Sequence, residues 1–411
     1  MNPLYPVQIS QLRAAAEIWA NIETTKEPAD RWLGNYFHRN RKKLGARDRR
    51  FLSETIYSLF RNKLLFKYWA RKQGKEKDSE FLVRLAATYE GLIPNQNVLE
   101  KHADFEKADG FAMTPEEQLS LHYSYPLWLV RRWQKTFPED LEKILASMNQ
   151  RPPLVIRANV LKISREALLR RLEKKGCRVE ATQRSSTGIR FKERMNLFDS
   201  EEFRSGLFEI QDEGSQILCE RMSPVPGEIL WDVCAGGGGK SLALAALMQN
   251  KGRILATDIR TQKLMDLKKR ARRAAITNIF PAELDRISET QAMKKGADKI
   301  LVDAPCSGTG TFRRNPDAKW KLREEDFDRF QSEQLKILEE ALPYLKPGGV
   351  LYYATCSLEP EENEEVIEGF LERHPECRLE TSLRLYPHRE ATDGFFMATL
   401  KKLESKNGEK S

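Results

Sequence analysis

The sequence predicts a multidomain protein: an all-helical N-terminal domain, a small α/β module, and a C-terminal α/β domain with a mostly parallel, doubly wound sheet. Residues 1–150 carry helical periodicity with few strand-like runs. Residues 151–205 mix strand-like and helical runs, and in residues 206–402 short apolar runs alternate with helices. That alternation indicates right-handed crossovers between parallel strands. Residues 403–411 are predicted to be a flexible tail.

The N-terminal helices are predicted from apolar residues that recur every three or four positions. The pattern is present in ISQLRAAAEIWANIE, RDRRFLSETIYSLFRNKLLFKYWARK and PLWLVRRWQKTFPEDLEKILASM. Between two of these segments lies the basic stretch HRNRKKLGARDRR, from His38 to Arg50. Its charge suits RNA phosphates, but a solvated basic loop would have the same composition.

The small module is predicted from four short runs. PPLVIRANVL is typical of a strand, and SREALLRRLEKKG is typical of a helix with a serine cap and a glycine stop. CRVEATQ and GIRFKE return to strand-like alternation, so the module is expected to end near Phe203.

Within the C-terminal domain, the alternation of strands and helices is predicted to begin after the turn SPVPGE. The strand-like runs are ILWDV, RILATDI, IFPAEL, KILVDA and VLYYATC, most of them followed by a helical segment. An α-helix is expected to begin near Pro360. The last two runs, CRLETSLRLYP and DGFFMATLKKL, have no helix between them and are predicted to pair as a hairpin at one edge of the sheet.

Composition narrows the functional classes. The chain has 411 residues, a net charge of +9 and six cysteines without a CxxC pair or zinc-like spacing. This favours a reducing compartment and no structural metal, and the absence of a signal peptide pattern or a membrane-length apolar run favours the cytoplasm without a membrane partner. The positive charge favours a polyanionic partner such as nucleic acid, although a solvated basic surface remains an equal alternative.

Unusual residues collect where the predicted strands end. The first strand leads into DVCAGGGGKS, where Gly236 to Gly239 would let the backbone approach a ligand closely. The second ends at Asp258 and the third near Asp285, and either acid taken alone could simply begin a helix. Together they suggest an adenosine-bearing cofactor, because a carboxylate at this position can accept hydrogen bonds from ribose hydroxyls.

Two cysteines follow the fourth and fifth strands. Cys306 lies in DAPCSGTG and Cys356 in ATCS, and neighbouring strands about 5 Å apart would bring both thiols into one crevice. A thiolate that adds to carbon 6 of cytosine turns carbon 5 into a nucleophile for an electrophilic methyl group. An acid such as Asp303 could hold a proton at ring nitrogen 3. The other cysteines are interpreted as packing or incidental: Cys177, Cys219, Cys234 and Cys377.

At these residues the sequence resembles the Sun/Fmu (NSUN-type) RNA cytosine-5 methyltransferases, specifically the bacterial small-subunit ribosomal RNA methyltransferase B group. LVDAPCSGTGTFRRNPDAKW, YATCSLEPEENEEVI and DGFFMA are similar to its most specific motifs, and QDEGSQ to the segment before its catalytic domain. RPPLVIRANVLKISREALLRRLEKKG resembles its small RNA-binding module. LGARDRRFLSETIYSLFRNK resembles its NusB-like helical domain, and the Rossmann-like domain would be the methyltransferase.

The resemblance implies S-adenosylmethionine as methyl donor and, as substrate, ribosomal RNA that is either free or part of an assembling small subunit. It makes Cys356 the nucleophile and Cys306 the thiol that assists product release, with Asp303 and Lys240 in the active site. The predicted cofactor-binding residues are Cys234, Ala235, Gly236, Gly237, Gly238, Gly239, Lys240, Asp258, Lys263, Asp285 and Asp303. No metal is expected, and the sequence does not indicate an oligomeric state.

The chain departs from the family in its glycine loop. Where the family has CAAPGGK, this chain has CAGGGGK, with Gly236 and Gly237 in place of alanine and proline. Without the proline the loop is expected to be looser when empty, and cofactor binding to be weaker by about 1 kcal/mol.

Two other functions compete with RNA cytosine methylation. A DNA cytosine methyltransferase fits less well, because that family has its nucleophile in a PCQ-type motif and no paired TCS. An RNA-binding assembly factor with a vestigial catalytic domain is supported only by the glycine substitutions, and the presence of both thiols, Asp303 and Lys240 argues against it.

Overall fold

A computed structural model describes residues 7–94, 107–108, 111–284, 287 and 293–404. The chain divides into two compact units, one of Met1–Arg151 with Thr311–Glu324 and one of Pro152–Gly310 with Glu325–Ser411. Within the described ranges, every helix is too short or too polar to cross a lipid bilayer.

The first unit is helical, as predicted. Its helices are α1 (Ile9–Ile22), α2 (Ala29–Arg39), α3 (Ala46–Arg61), α4 (Lys63–Arg71), α5 (Ser79–Tyr89), α6 (Pro115–Tyr123), α7 (Leu127–Thr136), α8 (Leu141–Met148) and α14 (Ala318–Lys321), with the short antiparallel pair β1 (Lys107–Ala108) and β2 (Phe111–Ala112). The run RDRRFLSETIYSLFRNKLLFKYWARK forms two helices, because the backbone leaves helical geometry at Asn62 (φ −116°, ψ 28°).

The segment 311–324 packs into this helical unit. Lys319 is fully buried, and its amine donates to the carbonyl of Arg61 at 3.0 Å and to the side-chain oxygen of Asn149 at 3.2 Å. Trp320 donates its indole hydrogen to the carbonyl of Phe60 at 2.7 Å. The FRRNPDAKW part of the longest family-like motif is therefore built into the helical unit, which the sequence-based division did not anticipate.

The second unit begins with a small antiparallel sheet. Its elements are β3 (Leu154–Ala158), α9 (Arg165–Lys174), β4 (Val179–Ala181), β5 (Gly188–Phe191), α10 (Glu201–Arg204) and β6 (Phe208–Ile210), with strand order β4-β5-β3-β6. Ser164 caps α9 by accepting a hydrogen bond from the amide of Ala167. The strand β6 lies beyond residue 205, and the predicted domain boundaries at 150, 205 and 402 stay a prediction.

The rest of the second unit forms a seven-stranded sheet with flanking helices. Its elements are α11 (Glu213–Arg221), β7 (Ile229–Asp232), α12 (Gly239–Leu247), β8 (Arg253–Thr257), α13 (Thr261–Ala274), β9 (Ile279–Ala282), β10 (Ala297–Asp303), α15 (Asp326–Ala341), β11 (Leu345–Thr355), α16 (Glu364–Arg373), β12 (Cys377–Leu385), α17 (Pro387–Glu390) and β13 (Phe395–Lys402). The strand order is β12-β13-β11-β10-β7-β8-β9.

The five strands from β11 to β9 are parallel, and β13 and β12 add the predicted antiparallel hairpin at one edge. Their cores are apolar runs, such as KILVD in β10, that are buried on both faces by the helices. After β7 the chain builds β8 and β9 on one side and returns to β10 on the other. The predicted fold class is confirmed, and the carboxyl ends of β7 and β10 mark the switch point at which such sheets bind ligands.

Candidate active site

The two thiols of the predicted site are in contact. Cys306 follows β10 and Cys356 follows β11, and these strands pair in parallel with Asp303 opposite Ala354. The two Sγ atoms are 3.3 Å apart. The hydrogen bond with Cys356, together with burial, raises the pKa of the Cys306 thiol well above its ordinary value, so Cys306 keeps its proton near neutral pH.

A buried carboxylate joins the two cysteine loops. Glu362 accepts hydrogen bonds from the amide of Ser307 at 2.8 Å, from the hydroxyl of Ser307, and from the hydroxyl of Ser357 at 2.5 Å. The amide of Gly310 donates to the carbonyl of Cys356 at 2.9 Å. Each serine directly follows one of the cysteines, so Glu362 holds both loops at a fixed separation.

Glu362 belongs to a segment that differs from the prediction. The helix expected from Pro360 is a three-residue 3₁₀ turn, Pro360–Glu362, and α16 begins only at Glu364. Tyr353 donates its hydroxyl to the carbonyl of Glu362 at 2.6 Å, which anchors the turn on β11. The α-helix expected near Pro360 therefore begins four residues later, at Glu364.

Lys240 and Asp303 form an ion pair beside the thiols. Lys240 Nζ lies 2.5 Å from Asp303 Oδ2, with the Phe395 ring centre 5.7 Å from the amine. Burial disfavours the charged amine, but the charge and hydrogen bond of Asp303 outweigh burial, so the pKa of Lys240 is raised above its ordinary value. Asp303 remains about a third exposed. A carboxylate held in this way can still reach the polar edge of a base.

The glycine loop follows β7 and contacts the acid at the end of β8. The amide of Gly236 donates to Asp258 Oδ2 at 2.9 Å, and the amide of Arg260 donates to Asp258 Oδ1 at 2.8 Å. Gly236 and Gly238 have φ of +54° and +80°, which side chains rarely adopt. A Cβ on Gly238 would lie 2.5 Å from Leu267 Cγ. Glycine is thus required for the close packing of this loop on α13.

The loop and the acid fit an adenosine-bearing methyl donor. Asp258, which follows β8, could accept hydrogen bonds from ribose hydroxyls. A Cβ on Gly236 would have only Asp258 Oδ2 within 4 Å, at 4.0 Å, so the space between the loop and this carboxylate is open. Residues Cys234 to Lys240, which follow β7, would line one side of the bound S-adenosylmethionine.

The remaining predicted cofactor residues are less central. Lys263 is exposed in the first turn of α13, and Cys234 is half-buried with a pKa raised by burial. Asp285 lies outside the described residues.

Sequence reasoning missed several residues that shape the site. Asp232 ends β7 and is buried, with Oδ2 bound to the Ser241 hydroxyl at 2.5 Å, and burial raises its pKa to about 7. Arg157, in β3, donates to the carbonyl of Gly239 at 3.0 Å. The acid at the end of a strand before a glycine loop could have been found from the pattern. Arg157 and Glu362 could not, because Gly239 and Ser307, to which they bind, are distant from them in sequence.

Comparison with known proteins identifies the family of this chain. Residues 220–401 match the family model described as 16S rRNA methyltransferase RsmB/F, and residues 125–197 match the ferredoxin-like domain of the same family. The ribosomal RNA small subunit methyltransferase B of Proteus mirabilis is 34% identical over 298 residues, which cover 72% of this chain and 70% of the relative. The probable enzyme of that name from Bacillus subtilis is 33% identical over 70% of this chain and 68% of its own.

Solved structures show the same fold. The crystal structure named PH0851 covers 97% of this chain and 100% of its own, with a TM-score of 0.78 and 27% identity. A methyltransferase homologue from Pyrococcus horikoshii covers 71% of this chain and 100% of its own, with a TM-score of 0.63 and 32% identity. Fold and site thus define an RNA methyltransferase whose methyl donor is S-adenosylmethionine. The chain belongs to the RsmB/F family of 16S rRNA methyltransferases.

Proposed function

We propose that the protein methylates carbon 5 of a cytosine in the RNA of the small ribosomal subunit, in the cytoplasm, through a covalent adduct with Cys356. The observation that carries the proposal is the 3.3 Å contact between Cys356 and Cys306, with the Lys240–Asp303 pair at the carboxyl ends of the same strands. The relatives named above act on small-subunit ribosomal RNA according to their names, which supports the choice of RNA.

In the first step Cys356 loses its thiol proton and its sulfur bonds to carbon 6 of the cytosine, while ring nitrogen 3 takes up one proton. Asp303, whose charge is balanced by Lys240, accepts a hydrogen bond from that nitrogen and so stabilises the adduct. The raised pKa of Cys306 supports Cys356, and not Cys306, as the attacking thiolate. A protonated Cys306 can donate to Cys356 and stabilise the thiolate that attacks.

When bound, S-adenosylmethionine supplies the electrophilic methyl group that carbon 5 takes up. Product release then requires transfer of the carbon 5 proton to solvent water. The carbon–sulfur bond then breaks, Cys356 leaves with its electron pair, and ring nitrogen 3 gives up the proton that it took up in the first step. We assign assistance of this release to Cys306, because its sulfur is in contact with the departing one. The target base must leave its stack to reach the cleft, which is easiest in a loop or an incompletely folded RNA.

The test is methylation of an unmodified 16S rRNA transcript with isotope-labelled S-adenosylmethionine, followed by nucleoside mass spectrometry. Wild type is expected to yield 5-methylcytidine, and Cys356→Ala none. Cys177→Ala is the matched control, because it removes a thiol that contacts Met195 at the surface of the small sheet. A methylated nucleoside other than 5-methylcytidine contradicts the proposed chemistry. RNA binding without any methyl transfer would favour the assembly-factor alternative.

A further inference from the structure

Two arginines hold the carbonyl groups of the glycine loop. Arg270, from α13, donates from Nη1 to the carbonyl of Gly237 at 2.6 Å. Arg157, from β3, donates from Nη1 to the carbonyl of Gly239 at 3.0 Å. Both guanidinium groups are charged donors that contact the loop backbone, so the position of the loop depends on two side chains outside it.

Arg270 is held in place from its opposite edge. Its Nε and Nη2 donate to Glu209 Oε2 at 3.2 and 3.0 Å, and Glu209 is 4% exposed in β6. Arg273 donates to the other oxygen of Glu209 at 2.5 Å. The Nε and Nη2 atoms of Arg270 therefore bind Glu209 while Nη1 binds the carbonyl of Gly237, and together these bonds fix the orientation of the planar guanidinium.

The absence of a side chain at Gly237 leaves space for the guanidinium of Arg270. A Cβ at 237 would lie 3.3 Å from Arg270 Nη1, tighter than an ordinary contact. Residue 237 is also the position where the sequence departs from the proline of the family. A proline ring at 237 and the present guanidinium would compete for the same space.

We propose that Arg270 is a positioning residue for the cofactor loop, and that its hydrogen bond to Gly237 replaces the stiffness a proline would give. The proposal deepens the proposed function and rests on the assignment of the glycine loop to the S-adenosylmethionine site. The glycines alone predict a loose loop and weaker cofactor binding. A loop whose carbonyl is bound by Arg270 is instead already ordered before the cofactor binds.

The experiment measures S-adenosylmethionine binding by titration calorimetry on the full chain, together with kcat and KM for the cofactor. Arg270→Ala is expected to weaken binding and raise KM about tenfold, the effect of ordering one freed backbone residue, with kcat at saturating cofactor within about twofold of wild type. Gly237→Pro alone is expected not to tighten binding. In the Arg270→Ala background it is expected to recover most of the lost affinity, which a merely structural role of Arg270 would not produce.

Arg273→Ala is the matched control. It also removes an ion pair with Glu209, but Arg273 does not donate to Gly237, so binding should change less than about twofold. Thermal unfolding checks each variant, and Arg270→Lys replaces Arg270→Ala if the latter does not fold, since a single amine cannot span both Glu209 and Gly237 as the fork does.

The positioning role is overturned by affinity within twofold of wild type for Arg270→Ala, or by no recovery when Gly237→Pro is added to it. A loss for Arg273→Ala as large as that for Arg270→Ala also overturns it. Asp258→Ala separates this from a failure of the site itself. If wild type binds the cofactor and Asp258→Ala binds it equally well, the assignment of the cofactor site is wrong and the role of Arg270 fails with it.

Discussion

Removal of the Glu362 carboxylate should loosen the connection between the two cysteine loops. Glu362 is fully buried and accepts from the amide and hydroxyl of Ser307, from the hydroxyl of Ser357, and from Gln334 Nε2 at 3.1 Å. In Glu362→Ala the two serine hydroxyls can bond each other, because they already lie 3.1 Å apart. Gln334 Nε2 retains its hydrogen bond to the carbonyl of Pro305, at 2.9 Å. The Ser307 amide is the donor left without an acceptor.

From these contacts the free energy of unfolding should fall by about 3 kcal/mol in Glu362→Ala, the cost of one buried unsatisfied amide plus the lost charge-assisted bonds. Glu362→Gln keeps one carbonyl oxygen, so it should lose only about 1 kcal/mol. Because the thiols are no longer held at a fixed separation, kcat should fall about a hundredfold in Glu362→Ala.

Urea-induced unfolding and initial rates of 16S rRNA methylation measure the two effects. Glu365→Ala is the matched control, because its carboxylate is exposed and bonds only Gln331 among the contacts described here. Its stability should change by less than about 0.5 kcal/mol. The reasoning is refuted if Glu362→Ala unfolds at the same urea concentration as Glu365→Ala and methylates at the wild-type rate.

Further predictions concern the loop and its neighbours. Gly238→Ala should lower the free energy of unfolding by about 1–3 kcal/mol and weaken cofactor binding, because φ is +80° and the new Cβ would lie 2.5 Å from Leu267 Cγ. Thermal unfolding measures the first effect and calorimetry the second. Unchanged stability and affinity would contradict the prediction. Asp232 should make stability depend on pH. Its folded pKa, about 7, is above the ordinary 3.8, so the folded state binds the extra proton and stability falls as pH rises from about 4 to about 7, by up to about 4 kcal/mol. Asp232→Asn, unfolded by urea at several pH values without cofactor, should lose that part of the dependence, and an unchanged pH profile would contradict the assignment. Lys240→Met should abolish methylation while the protein remains folded, since it leaves Asp303 without its counter-charge.

Much of the fold could be predicted because the sheet leaves a local pattern in the sequence. Buried parallel strands require apolar runs such as KILVD, and the alternation of these runs with helices leaves few topologies. The positions of Cys306 and Cys356 followed from the same argument, since residues after neighbouring parallel strands meet at one edge. The roles of these residues stay a prediction until they are tested by substitution.

The missed features depend on contacts that no local pattern records. Glu362 stood among several acidic residues, and nothing in the sequence shows that it alone turns toward Ser307, 55 positions earlier. Arg270 is one of many basic residues in α13, and its partner Glu209 is 61 positions away. The strand β6 has only three residues, which is too short for a recognisable alternation.

The measurement that most directly tests the account is a search for the covalent protein–RNA adduct. Wild type, Cys306→Ala and Cys356→Ala are incubated with unmodified 16S rRNA and S-adenosylmethionine, then separated by denaturing electrophoresis. The account predicts that Cys306→Ala accumulates an RNA-linked species, because attack by Cys356 proceeds but release is slowed, and that Cys356→Ala forms none. An adduct that persists in Cys356→Ala would contradict the assignment of the nucleophile.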